Sequence, residues 1–213
     1  MLVLETGVGR RRTERAIEWL LSRPLLGNVA YRPKVVLSAG FCGGLRDDLR
    51  TGDVVLATEV VDESGGRWPA TWPGELPAGP WDPPLHRGRL LTAAQLAGDP
   101  EAKRALGRQH HALAVDMETA ALARLCAAAE VPFGCVRAVL DESATPLSPR
   151  LVSVLSGGRV SPWRLAAALA RSPRLVGELW QLAQRAQTAG DTLGRAVGEL
   201  LTLTLPWAAD RGA

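Results

Sequence analysis

Apolar and polar positions along the 213 residues fall into short continuous apolar runs separated by amphipathic stretches. Leu2-Val3-Leu4 reads as a short strand leading into a Gly7-Val8-Gly9 turn. Over residues 13–21, Ala16, Ile17, Leu20 and Leu21 recur at helical spacing, which predicts a helix with one apolar stripe. Val35-Val36-Leu37 is compact and β-branched, as expected of a buried parallel strand, and it runs into Gly40-Phe41-Cys42-Gly43-Gly44. Further strands are predicted over 53–61 (DVVLATEVV), 89–91, 112–115 and 133–140 (FGCVRAVL). Helices are predicted over 100–109 and 117–129. Beyond Pro149 the chain turns Leu- and Ala-rich, with three helices expected over 162–170, 173–188 and 191–203. Strands alternating with helices, then closing helices, argue for one three-layer α/β/α domain over 1–213, with a sheet core in 1–149 and closing helices in 150–213.

Composition narrows the function classes. Apolar residues make up 46% and charged residues 22%, an ordinary globular mixture that excludes a disordered or fibrous chain. The net charge of +3 is too mild to indicate nucleic acid as a partner. Of 25 basic residues only Lys34 and Lys103 are lysines, leaving 25 − 2 = 23 arginines spread along the chain. Three cysteines (Cys42, Cys126, Cys135) cannot all pair and lack metal-ligand spacing, so no metal site is expected and a reduced, cytoplasmic location is. Met1 to Glu5 has no basic segment and meets an acid at once, so no secretory leader is expected there. Segment 62–88 carries six prolines, five glycines and three of the seven tryptophans, which favours a packed loop over a disordered one.

Three segments carry candidate chemistry. The run Ser38-Ala39-Gly40-Phe41-Cys42-Gly43-Gly44-Leu45 follows an apolar strand, where glycines let a backbone approach a ligand closely or simply make a tight turn. Val115-Asp116-Met117-Glu118 places two acids at a helix start, where a carboxylate serves the helix dipole or accepts paired hydroxyls of a sugar. Arg137-Ala138-Val139-Leu140-Asp141 ends a buried strand in an acid, placed either for proton transfer or as a capping or turn aspartate. Arg137 itself is either an ordinary buried ion pair or a group that orients Glu118. His86, His110 and His111 form no triad or metal pattern.

Taken in order, these segments resemble the nucleoside phosphorylase and nucleosidase superfamily. Its glycine-rich strand end is similar to Ala39–Leu45, its "GD-V" strand to Gly52-Asp53-Val54-Val55, and its "V-E-M-E" helix start to Val115-Asp116-Met117-Glu118. Its "R-A-x-S-D" strand end is similar to Arg137-Ala138-Val139-Leu140-Asp141, with Leu140 in the serine position, and its "S-G-I-G" turn to Thr6-Gly7-Val8-Gly9. The resemblance implies a phosphorylase-like fold with a mixed central sheet, lacking the strand and loop that the family places before the position of Met1. It implies cleavage of a purine N-ribosyl bond, with Asp141 protonating the leaving base. Glu118, Met117 and Asp116 would serve the ribose side, and Phe41, Cys42, Gly43 and Val8 would complete the substrate pocket. Gly7, Gly9 and Arg10 would line the side from which water or phosphate attacks. No cofactor is implied, phosphate being a possible co-substrate, and a homo-oligomer is expected.

A narrower resemblance joins Val61-Asp62-Glu63-Ser64-Gly65-Gly66-Arg67-Trp68-Pro69 and the Ala-Val-Asp-Met-Glu-Thr phrase to the hopanoid-associated phosphorylases. That branch implies removal of adenine from adenosylhopane, an adenosyl lipid, and hence a large apolar acceptor side near Trp68, Trp163 and Trp180. Methylthioadenosine/S-adenosylhomocysteine nucleosidase activity is the alternative, and a non-catalytic nucleoside-binding scaffold a further one. The tail over 161–213 has six arginines against four acids, a weak +2 for any peripheral membrane contact, and packing on the sheet is the default.

Overall fold

The computed structural model describes residues 2–6, 10–22, 25–26, 29–30, 33–72, 81–95, 97–148 and 174–204. The elements are α1 (Arg10–Ser22), β1 (Leu25–Leu26), β2 (Val29–Ala30), β3 (Val36–Gly44), β4 (Val54–Asp62), β5 (Arg67–Pro69) and β6 (Leu85–Thr92), then α2 (Pro100–His110), β7 (Ala114–Asp116), α3 (Thr119–Ala128), β8 (Phe133–Asp141) and α4 (Arg174–Thr204). Six strands form one mixed sheet in the order β5-β4-β6-β7-β3-β8. β3 pairs parallel with β8 and antiparallel with β7, while β6 runs parallel to both β4 and β7. The first half of β4 also pairs antiparallel with β8, Val54 opposite Ala138 and Leu56 opposite Val136, so the sheet curls round and closes on itself.

Strand periodicity sorts the core. Val55 and Ala57 face α1 and α3 together with Val36, Cys42, Cys135 and Val139, whereas Val54 and Leu56 face α4 with Val136, Ala196 and Leu200. Helices therefore cover both sides of the sheet, as the expected layers require. The packed-loop expectation for 62–88 agrees with the described part of that segment. β5 hairpins onto β4, Trp68 packs on the first core, and Trp72 and Trp81 pack on the second.

Four expectations are corrected. Leu2-Val3-Leu4 is not a strand: it has no ladder partner among the described residues, and Val3 is 78% exposed. The glycine run is not a loop after β3 but its second half, because β7 and β8 take up its backbone groups on either side. Glu118 precedes α3 rather than lying inside it. The two predicted helices over 173–188 and 191–203 are one 31-residue helix, continuous through Gly190. The helix expected over 162–170 lies outside the described residues. No helix among the described residues is long and apolar enough to cross a membrane.

Candidate active site

One cavity of about 820 Å³ runs along β3 from Val36 to Gly43 and reaches the last residues of β7 and β8, Asp116 and Asp141. Its walls bring together Phe41, Cys42 and Gly43 from β3, Asp116 from β7, Met117 and Glu118 before α3, and Arg137 and Asp141 from β8. Three segments separated by up to about a hundred residues in sequence thus converge. Gly7, Val8 and Gly9 lie outside the described residues, and Arg10 opens α1. On that side Thr13, one turn into α1, lines the cavity with a buried hydroxyl that has no hydrogen-bond partner among the described residues.

Asp141 ends β8 where β3 and β8 shift register: Cys42 faces Val139 and Gly43 faces Asp141, so Leu140 is passed over. Such a bulge re-aims the side chain beyond it. Gly43 lies against this carboxylate. A Cβ at this position would sit 3.4 Å from both Asp141 carboxylate oxygens and 3.5 Å from Val115 Cγ1. Burial pushes the Asp141 carboxyl above the ordinary aspartate range, against the opposing charges of Lys103 and Arg185. A carboxyl that keeps its proton to higher pH is suited to donating it.

Asp116 plays a different part from the one its sequence position suggested. Its carboxylate accepts from Thr92 Oγ1 at 2.8 Å, from the Thr119 amide at 3.3 Å, from the Thr119 hydroxyl and from Arg137 Nε at 3.1 Å. Those bonds fully occupy it, and it ties β6, β7, α3 and β8 together. Arg137 is accordingly the buried ion pair of Asp116 and not a partner of Glu118. Its guanidinium also donates to Ser38 Oγ at 2.9 Å and to the Val136 carbonyl at 3.1 Å. Burial works against its charge, but Cys135 and Asp116 outweigh that and raise its pKa. The pair fixes the turn that carries Met117 and Glu118. Glu118 itself is half-buried at the cavity wall, where the Met117 amide approaches its Oε2 at 3.3 Å.

Phe41 is 42% exposed and lines the cavity, a flat apolar surface for a ring. Cys42 is buried, its thiol pushed well up by burial, and donates to the Ala138 carbonyl at 3.7 Å, so it acts as packing rather than as a nucleophile. Trp68 and Trp180 do not line the cavity: Trp68 packs on the core and Trp180 is exposed on α4. Trp163 lies outside the described residues. His86 pairs with Asp53 at 3.0 Å, away from the cavity. The residue that sequence reasoning missed is Lys103, on α2, which is buried against Asp141 and pairs with it. Its rarity in an arginine-rich chain was the available signal.

Comparison with known proteins bears on the fold and the family. The phosphorylase superfamily matches residues 1–81 and 74–153. The chain is 30% identical over 163 residues to a 5'-methylthioadenosine/S-adenosylhomocysteine nucleosidase of Bacillus cytotoxicus, covering 66% of this chain and 68% of that one. A nucleosidase of the same description from Bacillus thuringiensis is 29% identical over the same share. Among solved structures, the nucleosidase of S. pneumoniae with a transition-state inhibitor superposes with a TM-score of 0.54 at 18% identity, covering 78% of this chain and 79% of that one. The Neisseria meningitidis nucleosidase in complex with methylthio-immucillin-A gives 0.52 at 19% identity, covering 78% of each. Fold, order of motifs and family match coincide, and the chain belongs to the phosphorylase superfamily, the nucleoside phosphorylase and nucleosidase enzymes.

Proposed function

We propose that this enzyme cleaves the N-ribosyl bond of an adenosyl compound, with Asp141 as the acid that serves the departing adenine. The observation that carries this is a buried carboxyl of raised pKa, facing the same cavity as Glu118 and Met117. As the bond between the anomeric carbon and the purine nitrogen breaks, its electron pair moves onto the base. Transfer of the Asp141 proton to a ring nitrogen lets the base leave neutral, which lowers the barrier. Glu118 would accept the ribose hydroxyls and Met117 would pack on the sugar, while Phe41 and Gly43 give the purine a flat wall. Water or phosphate would attack the anomeric carbon from the side of the cavity lined by Thr13 of α1. No cofactor is needed for this chemistry.

For the finer substrate we propose adenosylhopane. The apolar residues Leu2, Leu4, Ile17, Leu20 and Val35 along the cavity wall support a bulky hydrocarbon on the acceptor side. The second candidate is methylthioadenosine, which the relatives' described substrates favour. One experiment tests both levels: adenine release from each compound in competition, with and without phosphate. Release from either supports N-ribosyl cleavage, and a requirement for phosphate identifies phosphorolysis. A clear preference for methylthioadenosine would overturn the hopane substrate, and no release from any adenosyl compound would overturn the function.

A further inference from the structure

We propose that Lys103 is a positioning residue for catalysis, holding the Asp141 carboxyl from behind and setting the pH range over which it can donate its proton. This rests on the proposed role of Asp141. Lys103 is 1% exposed, on the buried face of α2, and does not line the cavity. Its ammonium has three protons and three acceptors: Asp141 Oδ2, the Glu142 carbonyl at 3.0 Å and the Thr145 carbonyl at 3.2 Å. It therefore grips both the acid and the turn that follows β8. The other carboxylate oxygen, Oδ1, takes no hydrogen bond among the described residues and belongs to a side chain that faces the cavity.

The surrounding structure is built to bring this ammonium close. Gly107, one helical turn beyond Lys103, lets α2 lie against β3's end, since a Cβ there would meet the Leu45 carbonyl at 2.9 Å. Asp99 caps the start of α2 by accepting from the Ala102 amide at 2.8 Å. Choice of residue matters in a chain with 23 arginines and two lysines. A compact ammonium can meet three converging acceptors, which a planar guanidinium cannot. A buried charge is costly unless paired, so a lysine at this place requires Asp141 as much as it restrains it.

The groups facing Asp141 are Lys103 from α2, Arg185 from α4 and Cys42 from β3. Burial raises the Asp141 pKa and Lys103 opposes it, so Lys103 keeps the carboxyl from holding its proton too tightly to give it up.

The test is the pH profile of kcat/KM for adenine release in wild type, Lys103→Met and Lys103→Arg, with the Asp141 carboxyl titration followed by 13C NMR in each. The expected result is a lower plateau and an upward shift of the basic limb in Lys103→Met. The carboxyl titration should move with it, and Lys103→Arg should return both towards wild type. Lower activity with unmoved limbs and an unmoved titration would make Lys103 merely structural and overturn the proposal. Should Lys103→Met fail to fold, Lys103→Gln decides in its place: it keeps a donor for the carbonyls without the charge, and an unmoved basic limb and carboxyl titration there would overturn the proposal. Failure of the proposed function reads differently: the wild type would release no adenine at any pH, while the carboxyl titration would still shift in Lys103→Met.

Discussion

Replacing Asp116 by alanine should destabilise the protein far more than a typical polar substitution. The Asp116 and Arg137 side chains are 1% and 6% exposed, and their contact at 3.1 Å is a buried ion pair at the cavity wall. Alanine removes the acceptor for Thr92, for the Thr119 amide and hydroxyl and for Arg137 Nε. Arg137 would keep only neutral acceptors, Ser38 Oγ, the Val136 carbonyl and the Thr119 hydroxyl. A guanidinium left buried without its counter-charge costs about 3–5 kcal/mol. That is a large part of the roughly 5–15 kcal/mol that holds a typical domain folded. Equilibrium urea unfolding of wild type, Asp116→Ala, Arg137→Met and the double variant Asp116→Leu/Arg137→Met would measure it. The double variant should recover most of the loss, because an apolar pair of similar volume carries no stranded charge. A cost below about 1 kcal/mol for Asp116→Ala, or a double variant as unstable as the single one, would refute the buried pair as the anchor of this turn.

Asp141→Asn keeps the shape and removes the transferable proton, so kcat for adenine release should fall roughly 100-fold or more. In the wild type, release should decline as pH rises through the raised Asp141 pKa. The carboxyl's own contribution to stability has the same sign: present below the unfolded pKa and lost as pH rises through the folded one, which thermal unfolding across that range would detect. Glu118→Gln should cost about 1.5–3 kcal/mol of transition-state binding by weakening the charged acceptor for ribose hydroxyls. Equal kinetics of wild type on ribosyl and deoxyribosyl substrates would argue against that role. Cys42, Cys126 and Cys135 are all buried, with the Cys126 and Cys135 thiols pushed up to about 11 by burial. A thiol reagent at pH 8 should therefore label them only on unfolding, and rapid labelling of the native protein would contradict their burial.

The sequence alone determined what local pattern can specify. The strands expected over 53–61 and 133–140 and the helix expected over 13–21 were legible, within a few residues of β4, β8 and α1, because continuous apolar runs and helical spacing show which residues must leave water. The family resemblance carried by the motif order implied that Asp141, Glu118 and the glycine run share one site, and all three line one cavity. Tertiary pairing decided the rest. Gly40 to Gly44 has turn-like composition, yet it lies flat as strand because β8 pairs with it from Gly40 to Gly43 and β7 takes up Gly43 and Gly44 on the other side. Leu2-Val3-Leu4 has strand-like composition but no ladder partner among the described residues, and β-propensity without a partner makes no strand. Packing of Ala196 and Leu200 against β8 holds α4 together through Gly190 and outweighs the roughly 1 kcal/mol that a glycine costs a helix. Closure of the sheet through Val54 and Ala138, and the burial of Lys103 against an acid 38 residues further on, depend on contacts between distant segments. Hydrophobic periodicity reports only which side of an element is dry, and cannot say which other element covers it.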